Sequence, residues 1–177
     1  MRLRGTPESW IAALTGRSEK AWKQATLMMG GLEPEYPVAA QPFIDALDSG
    51  NDEVIFWSVI ALGRLRARAR DALPKLVALC RHKRINVRQS ALCALVRVAP
   101  GDPAVKRAIF ASFRDRSPLV RSEALREAIG LRNLDGTDFR RVRGMLRDRN
   151  ADVRDDAEIT IENIKNRKAI AAARKAG

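Results

Sequence analysis

Asp115-Arg-Ser-Pro-Leu-Val-Arg121-Ser-Glu-Ala124 is answered 33 residues later by Asp148-Arg-Asn-Ala-Asp-Val-Arg154-Asp-Asp-Ala157. Asp, Val, Arg and Ala stand at the same offsets in both stretches, and Asn86-Val-Arg88-Gln-Ser-Ala91 repeats the second half one period earlier. The valine column runs Val54, Val87, Val120, Val153. One further step back reaches Ala21, so five copies fit without an insertion or deletion. Other columns keep the register. Trp10, Phe43, Leu76, Ile109 and Val142 are all large and apolar, as are Leu14, Leu47, Cys80, Phe113 and Leu146, and Leu32, Leu65, Val98, Leu131 and Ile164. Ala25, Ser58, Ala91, Ala124 and Ala157 are all small. A fixed period of this length marks a repeat array in which no copy buries its apolar face alone.

Within each copy, apolar residues recur three and four apart in two segments, the spacing of amphipathic helices. Leu73, Leu76, Val77, Leu79 and Cys80 form one stripe, and Val87, Ala91, Leu92, Ala94, Leu95 and Val98 the other. Strand-like alternation is absent. Capping residues set the boundaries: Ser117-Pro118, Asn51 and Asn150 open second helices, while Asp102-Pro103, Asp71 with Pro74, and Thr137-Asp138 open first helices. The first helices are expected near 7–15, 37–47, 71–81, 103–114 and 137–147, the second near 18–30, 52–65, 85–98, 118–131 and 151–166. Gly30-Gly31 reads as a helix end. The expected fold is an all-α, right-handed α-solenoid of five two-helix repeats in one domain over 5–166. The copies are 5–33, 34–68, 69–101, 102–134 and 135–166, followed by a basic tail over 167–177.

The order Asp, then Val-Arg, then Ala resembles the HEAT-repeat signature, and the short period resembles the compact HEAT-like repeats of bilin-lyase-type proteins. The resemblance covers about residues 5–166. It implies a fold and leaves function open, because such repeats serve scaffolds, lyases and DNA-repair enzymes alike. It also implies a structural job for Arg88, Arg121 and Arg154: pairing with Asp115 or Asp148 in the same or an adjacent copy. His82 stands in the Asp column of copy three, and Ile55 and Trp22 replace the Arg in copies two and one. The N-terminal half is therefore expected to rely on apolar contacts rather than a polar ladder.

The chain carries 33 basic and 21 acidic residues, for a net charge of +12. Residues 1–50 hold 5 basic and 6 acidic groups, so the excess lies wholly in 51–177 and suggests a polyanionic partner there. Of the 33 basic residues 25 are Arg, which a coding bias would also produce. No stretch is apolar for long enough to span a membrane, and Met1-Arg-Leu-Arg4 opens no apolar signal core, so cytoplasmic residence is expected. Cys80 and Cys93 lack metal or redox spacing, and Cys80 fits an apolar column.

Two surfaces are candidates for function. The first is an arginine ladder in the turns between paired helices: Arg81, Arg114 and Arg147 recur at 33, as do Lys83, Arg116 and Arg149, with Arg84 alongside. At the usual helix spacing of about 10 Å the row would run about 20 Å, a reach suited to phosphate oxygens along a nucleic-acid backbone. The plain alternative is that cations at helix C-termini complement the helix dipole. Arg64, Arg66, Arg68 and Arg70, together with Arg140, Arg141 and Arg143, add charge elsewhere; the tail is either a helical cap or a flexible arm. The second surface is a partner groove at Phe56, Trp57 and Ile60, where later copies are mainly polar; the competing reading is that the N-terminal copy or a partner chain covers it. Asp152, Asp155, Asp156 and Glu158 read as N-terminal dipole compensation.

An enzyme needs a positioned nucleophile, an acid–base pair or a metal, and this inventory is thin: one His, one Tyr, and no phosphate loop or metal-ligand spacing. Among HEAT-like enzymes, an alkylpurine DNA glycosylase would need an aromatic cleft beside a carboxylate, for which Trp57 with Glu53 is the one pairing offered. A bilin-lyase-like activity rests on repeat type alone. The reading is a scaffold without cofactor or metal that binds a protein partner, the alternative being nucleic-acid backbone binding through the arginine ladder.

Overall fold

The computed structural model describes residues 5–33, 35 and 37–176, with side chains as far as Arg167. Met1–Arg4 and the basic side chains of the tail from Lys168 to Lys175 lie outside the described residues. The described residues form helices and no strand: α1 (Pro7–Thr15), α2 (Glu19–Gly30), α3 (Gln41–Ala46), α4 (Asp52–Leu65), α5 (Leu73–Leu79), α6 (Ile85–Val98), α7 (Pro103–Ser112), α8 (Pro118–Ala128), α9 (Gly136–Gly144) and α10 (Ala151–Ala176). Short 3₁₀ segments cover Arg66–Ala72 and Met145–Arg147. No described helix is long and apolar enough to cross a membrane. Two compact units divide the chain, Met1–Ala99 and Pro100–Gly177.

In the N-terminal unit α1 pairs with α2, α3 with α4, and α5 with α6, and α4 packs against both α2 and α6. In the C-terminal unit α7 pairs with α8, and α10 packs on α8 and α9. The repeat columns supply both cores. Val54, Val87, Val120 and Val153 are buried, as are Trp10, Phe43, Leu76, Ile109 and Val142, and Leu32, Leu65, Val98, Leu131 and Ile164. Full burial of one such side chain is worth about 1.5–3 kcal/mol, so the register is an energetic pattern as well as a textual one. Only Ala21 and Leu146 among these columns are half-buried. Close helix approach occurs where small residues meet. A Cβ on Gly63 would lie 3.2 Å from the Ala94 Cα, so α4 and α6 cross almost backbone to backbone there.

Helix boundaries follow proline and the caps. Pro42 lies in the first turn of α3, where its missing N–H costs nothing, so residues 37–40 stay outside the helix expected from 37. Pro74 likewise starts α5 at Leu73, leaving Asp71 inside the 3₁₀ segment and not at a cap. Asn51 Oδ1 accepts from the Glu53 and Val54 amides, and Asn150 Oδ1 from the Val153 amide. Asp102 caps α7. The opener of α9 is Asp135 rather than Thr137: its carboxylate accepts from the Thr137 and Asp138 amides, and the carboxylate of buried Asp138 accepts in return from the Asp135 amide. Asp138 also holds Lys106 Nζ at 2.8 Å, tying α7 to α9. Ser117 sits at the N-cap of α8 without a side-chain cap bond. The helix expected to end near 166 continues to Ala176, and Arg167 donates to the carbonyls of Ile129 and Leu131 beyond the end of α8.

Candidate interaction surfaces

The turn inside each of the last three pairs is built around one arginine. Arg88 Nη1 donates to the His82 and Lys83 carbonyls at 2.9 and 3.2 Å. Arg121 Nη1 does the same to Asp115 and Arg116 at 2.9 and 3.4 Å, and Arg154 Nη1 reaches the Asp148 carbonyl at 2.9 Å. Arg88 and Arg121 are buried, so each brings a charge into the fold and uses it to satisfy carbonyls the turn would otherwise leave unpaired. The residue at the Asp position closes the turn from the other side. Asp115 Oδ1 accepts from the Ser117 amide at 2.8 Å and Asp148 Oδ1 from the Asn150 amide at 2.9 Å. In copy three His82 Nδ1 accepts from the Arg84 amide at 3.2 Å, which explains how an imidazole stands in an aspartate column. An accepting Nδ1 carries no proton, leaving the Nε2–H facing Asp52 Oδ1 at 3.5 Å.

Arg121 also grips Asp148 of the next copy with both ends of its fork, Nε to Oδ2 at 2.8 Å and Nη2 to Oδ1 at 2.7 Å. Their side chains are 5% and 10% exposed. This charge-assisted pair, with the Asn150 amide and nearby Arg149, holds the Asp148 carboxyl below the usual carboxylate range. A polar link exists in the N-terminal unit too, contrary to the expectation of apolar contacts alone. Asp52 of copy two gathers Arg84 Nε at 2.8 Å, Lys83 Nζ at 3.2 Å and His82 of copy three. Lys75 adds a bond to Asp48 at 2.6 Å, and Arg68 one to the Val38 carbonyl at 2.7 Å. The polarity is reversed, the acid coming from the earlier copy. The signature columns could not reveal it, because Asp52 stands outside them.

Residues 40–130, just over half the chain, match the family described as HEAT repeats. The chain belongs to the HEAT-repeat family. None of the curated proteins matches it. Among solved structures it is similar to the complex of CpcE and CpcF of phycocyanin lyase from Nostoc sp. PCC7120, with TM-score 0.69 and 21% identity over 87% of this chain and 96% of that one. A designed armadillo repeat protein in complex with the peptide (KR)4 gives TM-score 0.60 and 17% identity over 89% and 81%. The archaeal HEAT-like repeat protein of Thermococcus onnurineus NA1 gives 0.50 and 16% over 89% and 70%. At these identities the likeness is one of fold.

Within this HEAT frame the outward turn side chains divide by unit. Arg81, Lys83 and Arg84 belong to the N-terminal unit and are exposed, but Asp52 partly neutralises the last two. Arg114, Arg116, Arg147 and Arg149 belong to the C-terminal unit, all exposed, with Arg149 Nη2 3.4 Å from the Arg116 carbonyl. Arg81, Arg114 and Arg147 have no carboxylate partner among the described residues. The apolar trio is half-buried. Trp57 meets Phe56 edge-on at 5.2 Å and Trp22 of α2 at 6.5 Å, so α2 covers part of the patch. Trp57 Nε1 donates to Glu53 Oε1 at 2.7 Å, so the carboxylate offered for a glycosylase-like cleft is engaged by its own tryptophan. Of the acidic group at the start of α10, Asp156 pairs with Arg126 at 3.1 Å. Burial pushes the Cys80 thiol up to about 12, as suits a packing residue.

One feature escaped the sequence reading. Between α7 and α9 lies a cleft of about 530 Å³. Arg107, Arg114 and Arg141 line it together with Phe110, Phe113 and Met145. The two rings meet edge to face at 5.3 Å, and the Arg141 guanidinium lies 5.4 Å over the Phe110 ring. The spacing 107, 110, 114 is a helical stripe and was the available signal. It was hidden because Phe113 belongs to a core column and Phe110 stands outside every repeat column.

Proposed function

We propose that the chain is a non-enzymatic HEAT-repeat scaffold of the cytoplasm that holds an acidic segment of a protein partner. The observation that carries this reading is the exposure of Arg81, Arg114 and Arg147 without a carboxylate partner, set beside internal arginines that are fully engaged. Similar folds lend support: one holds the peptide (KR)4, and another is a complex of CpcE with CpcF. Here the outward turn charge is positive, so the complementary segment is acidic. The repetition of Arg114 with Arg116 and Arg147 with Arg149 at equivalent turn positions favours nucleic-acid backbone as a second reading.

The two separate in one titration of the intact chain at about 50 mM salt, where exposed charges act over a Debye length of more than 10 Å. Polyglutamate is expected to bind, and R81E/R114E/R147E to weaken it at least tenfold or so with helicity unchanged. Both affinities are expected to fall as salt is raised. Duplex DNA bound tightly while polyglutamate is ignored would replace the first reading by the second, and indifference to both probes would remove each.

A further inference from the structure

The cleft between α7 and α9 combines features that a packing defect lacks. Its volume of about 530 Å³ is in the range of ligand pockets. Its floor is apolar, made by Phe110, Phe113 and Met145, and its rim carries three guanidinium groups with no carboxylate among the lining residues. Arg107 and Arg114 have no ion pair with any described residue, and both are exposed. Arg141 is held in place by the Phe110 ring and by Asp138 Oδ1 at 3.6 Å, so its charge is positioned in advance. Three like charges around one concavity repel each other, and an entering anion relieves that repulsion. Gly144 also lines the cleft, and a Cβ there would meet nothing within 4 Å, so the space beside it is open to a larger side chain.

We propose that this cleft seats an aromatic side chain of an acidic peptide, the ring resting on Phe110, Phe113 and Met145 and flanking carboxylates meeting Arg107, Arg114 and Arg141. A ring suits the floor because edge-to-face and sulfur–aromatic contacts reward it beyond its area. Guanidinium forks suit the carboxylates on either side. A purely acidic run would leave the apolar floor wet, and a purely apolar one would leave the rim unpaired. The inference rests on the reading of the partner as an acidic protein segment and adds where its anchor goes. It places recognition on α7 and α9, the first helices of the pairs in the C-terminal unit.

The test is fluorescence anisotropy on the full chain, with a labelled peptide holding one tryptophan flanked on both sides by glutamates. Two control peptides replace the tryptophan with serine or the glutamates with glutamine. Gly144→Phe fills the cleft and leaves every charge in place; Arg107→Glu reverses a rim charge outside the turn columns, at an exposed position that the fold does not need. The serine peptide and Gly144→Phe are each expected to weaken binding about tenfold, and Arg107→Glu or the glutamine peptide at least as much. Circular dichroism checks that each variant is folded, and Arg107→Glu keeps the test alive should Gly144→Phe not fold. Affinities unchanged within about twofold by the serine peptide and by Arg107→Glu, with R81E/R114E/R147E still disruptive, would overturn the cleft and leave the scaffold reading intact. No binding of any peptide to the wild-type chain would overturn both.

Discussion

Arg121 serves two copies at once, closing its own turn through carbonyls and reaching forward to the Asp148 carboxylate. Because the pair is almost entirely buried, its loss leaves a charge without solvent. Asp148→Asn is expected to cost about 2–3 kcal/mol at neutral pH, toward the lower end for a broken buried pair because the carbonyl bonds of Arg121 survive. The pH dependence has a definite sign. The folded Asp148 carboxyl titrates below its unfolded value of about 3.9, so its contribution is complete above that pH and disappears as acid protonates the folded group. Urea unfolding of wild type and Asp148→Asn between neutral pH and about pH 2 should therefore converge in acid; parallel profiles would refute the assignment. Ser58 offers the opposite case. Its Oγ is buried without a hydrogen-bond partner, in a column where other copies place alanine. Ser58→Ala is expected to stabilise by about 0.5–1.5 kcal/mol, read as a higher urea midpoint at unchanged slope. Residues of this kind were legible because period and burial coincide: Val87, Val120 and Val153 could be placed in the core from spacing alone. Asp52 could not, since its partners Lys83 and Arg84 become neighbours only after two helix pairs are stacked.

At the scale of elements, the second helices were the most legible, because their apolar stripes are long; α6 runs over the span its spacing predicts even though Arg84 at its N-cap makes no side-chain cap bond. First helices were less so. A proline near the start moves α3 and α5 later than periodicity suggests, and a 3₁₀ turn is invisible to a pattern with helical period. The join after α4 carries strain. Arg66 adopts φ 52°, ψ −133°, a region costly for any residue with a Cβ. Arg66→Gly is expected to raise stability by about 0.5–1 kcal/mol, the relief of strain outweighing the extra freedom glycine gives the unfolded chain. A lower melting temperature in calorimetry would show that the arginine side chain repays its backbone through contacts. The cleft belongs to this scale too: α7 and α9 each read as a packing helix, and the cavity arises only from how their outer stripes face each other.

For the whole molecule, the net charge of +12 reported an excess of cations but could not say which were already spent. A few of those cations belong to internal architecture: Arg88 and Arg121 are buried in their turns, Lys106 ties α7 to α9, and Arg167 binds the carbonyls beyond the end of α8. The buried clamps also separate two tasks that most proteins entangle. Since the shape of each hairpin bend is fixed from within, the side chains pointing away from it at positions 81, 114 and 147 are free to be exchanged. New specificities can then arise, by natural drift or by engineering, without renegotiating the fold each time.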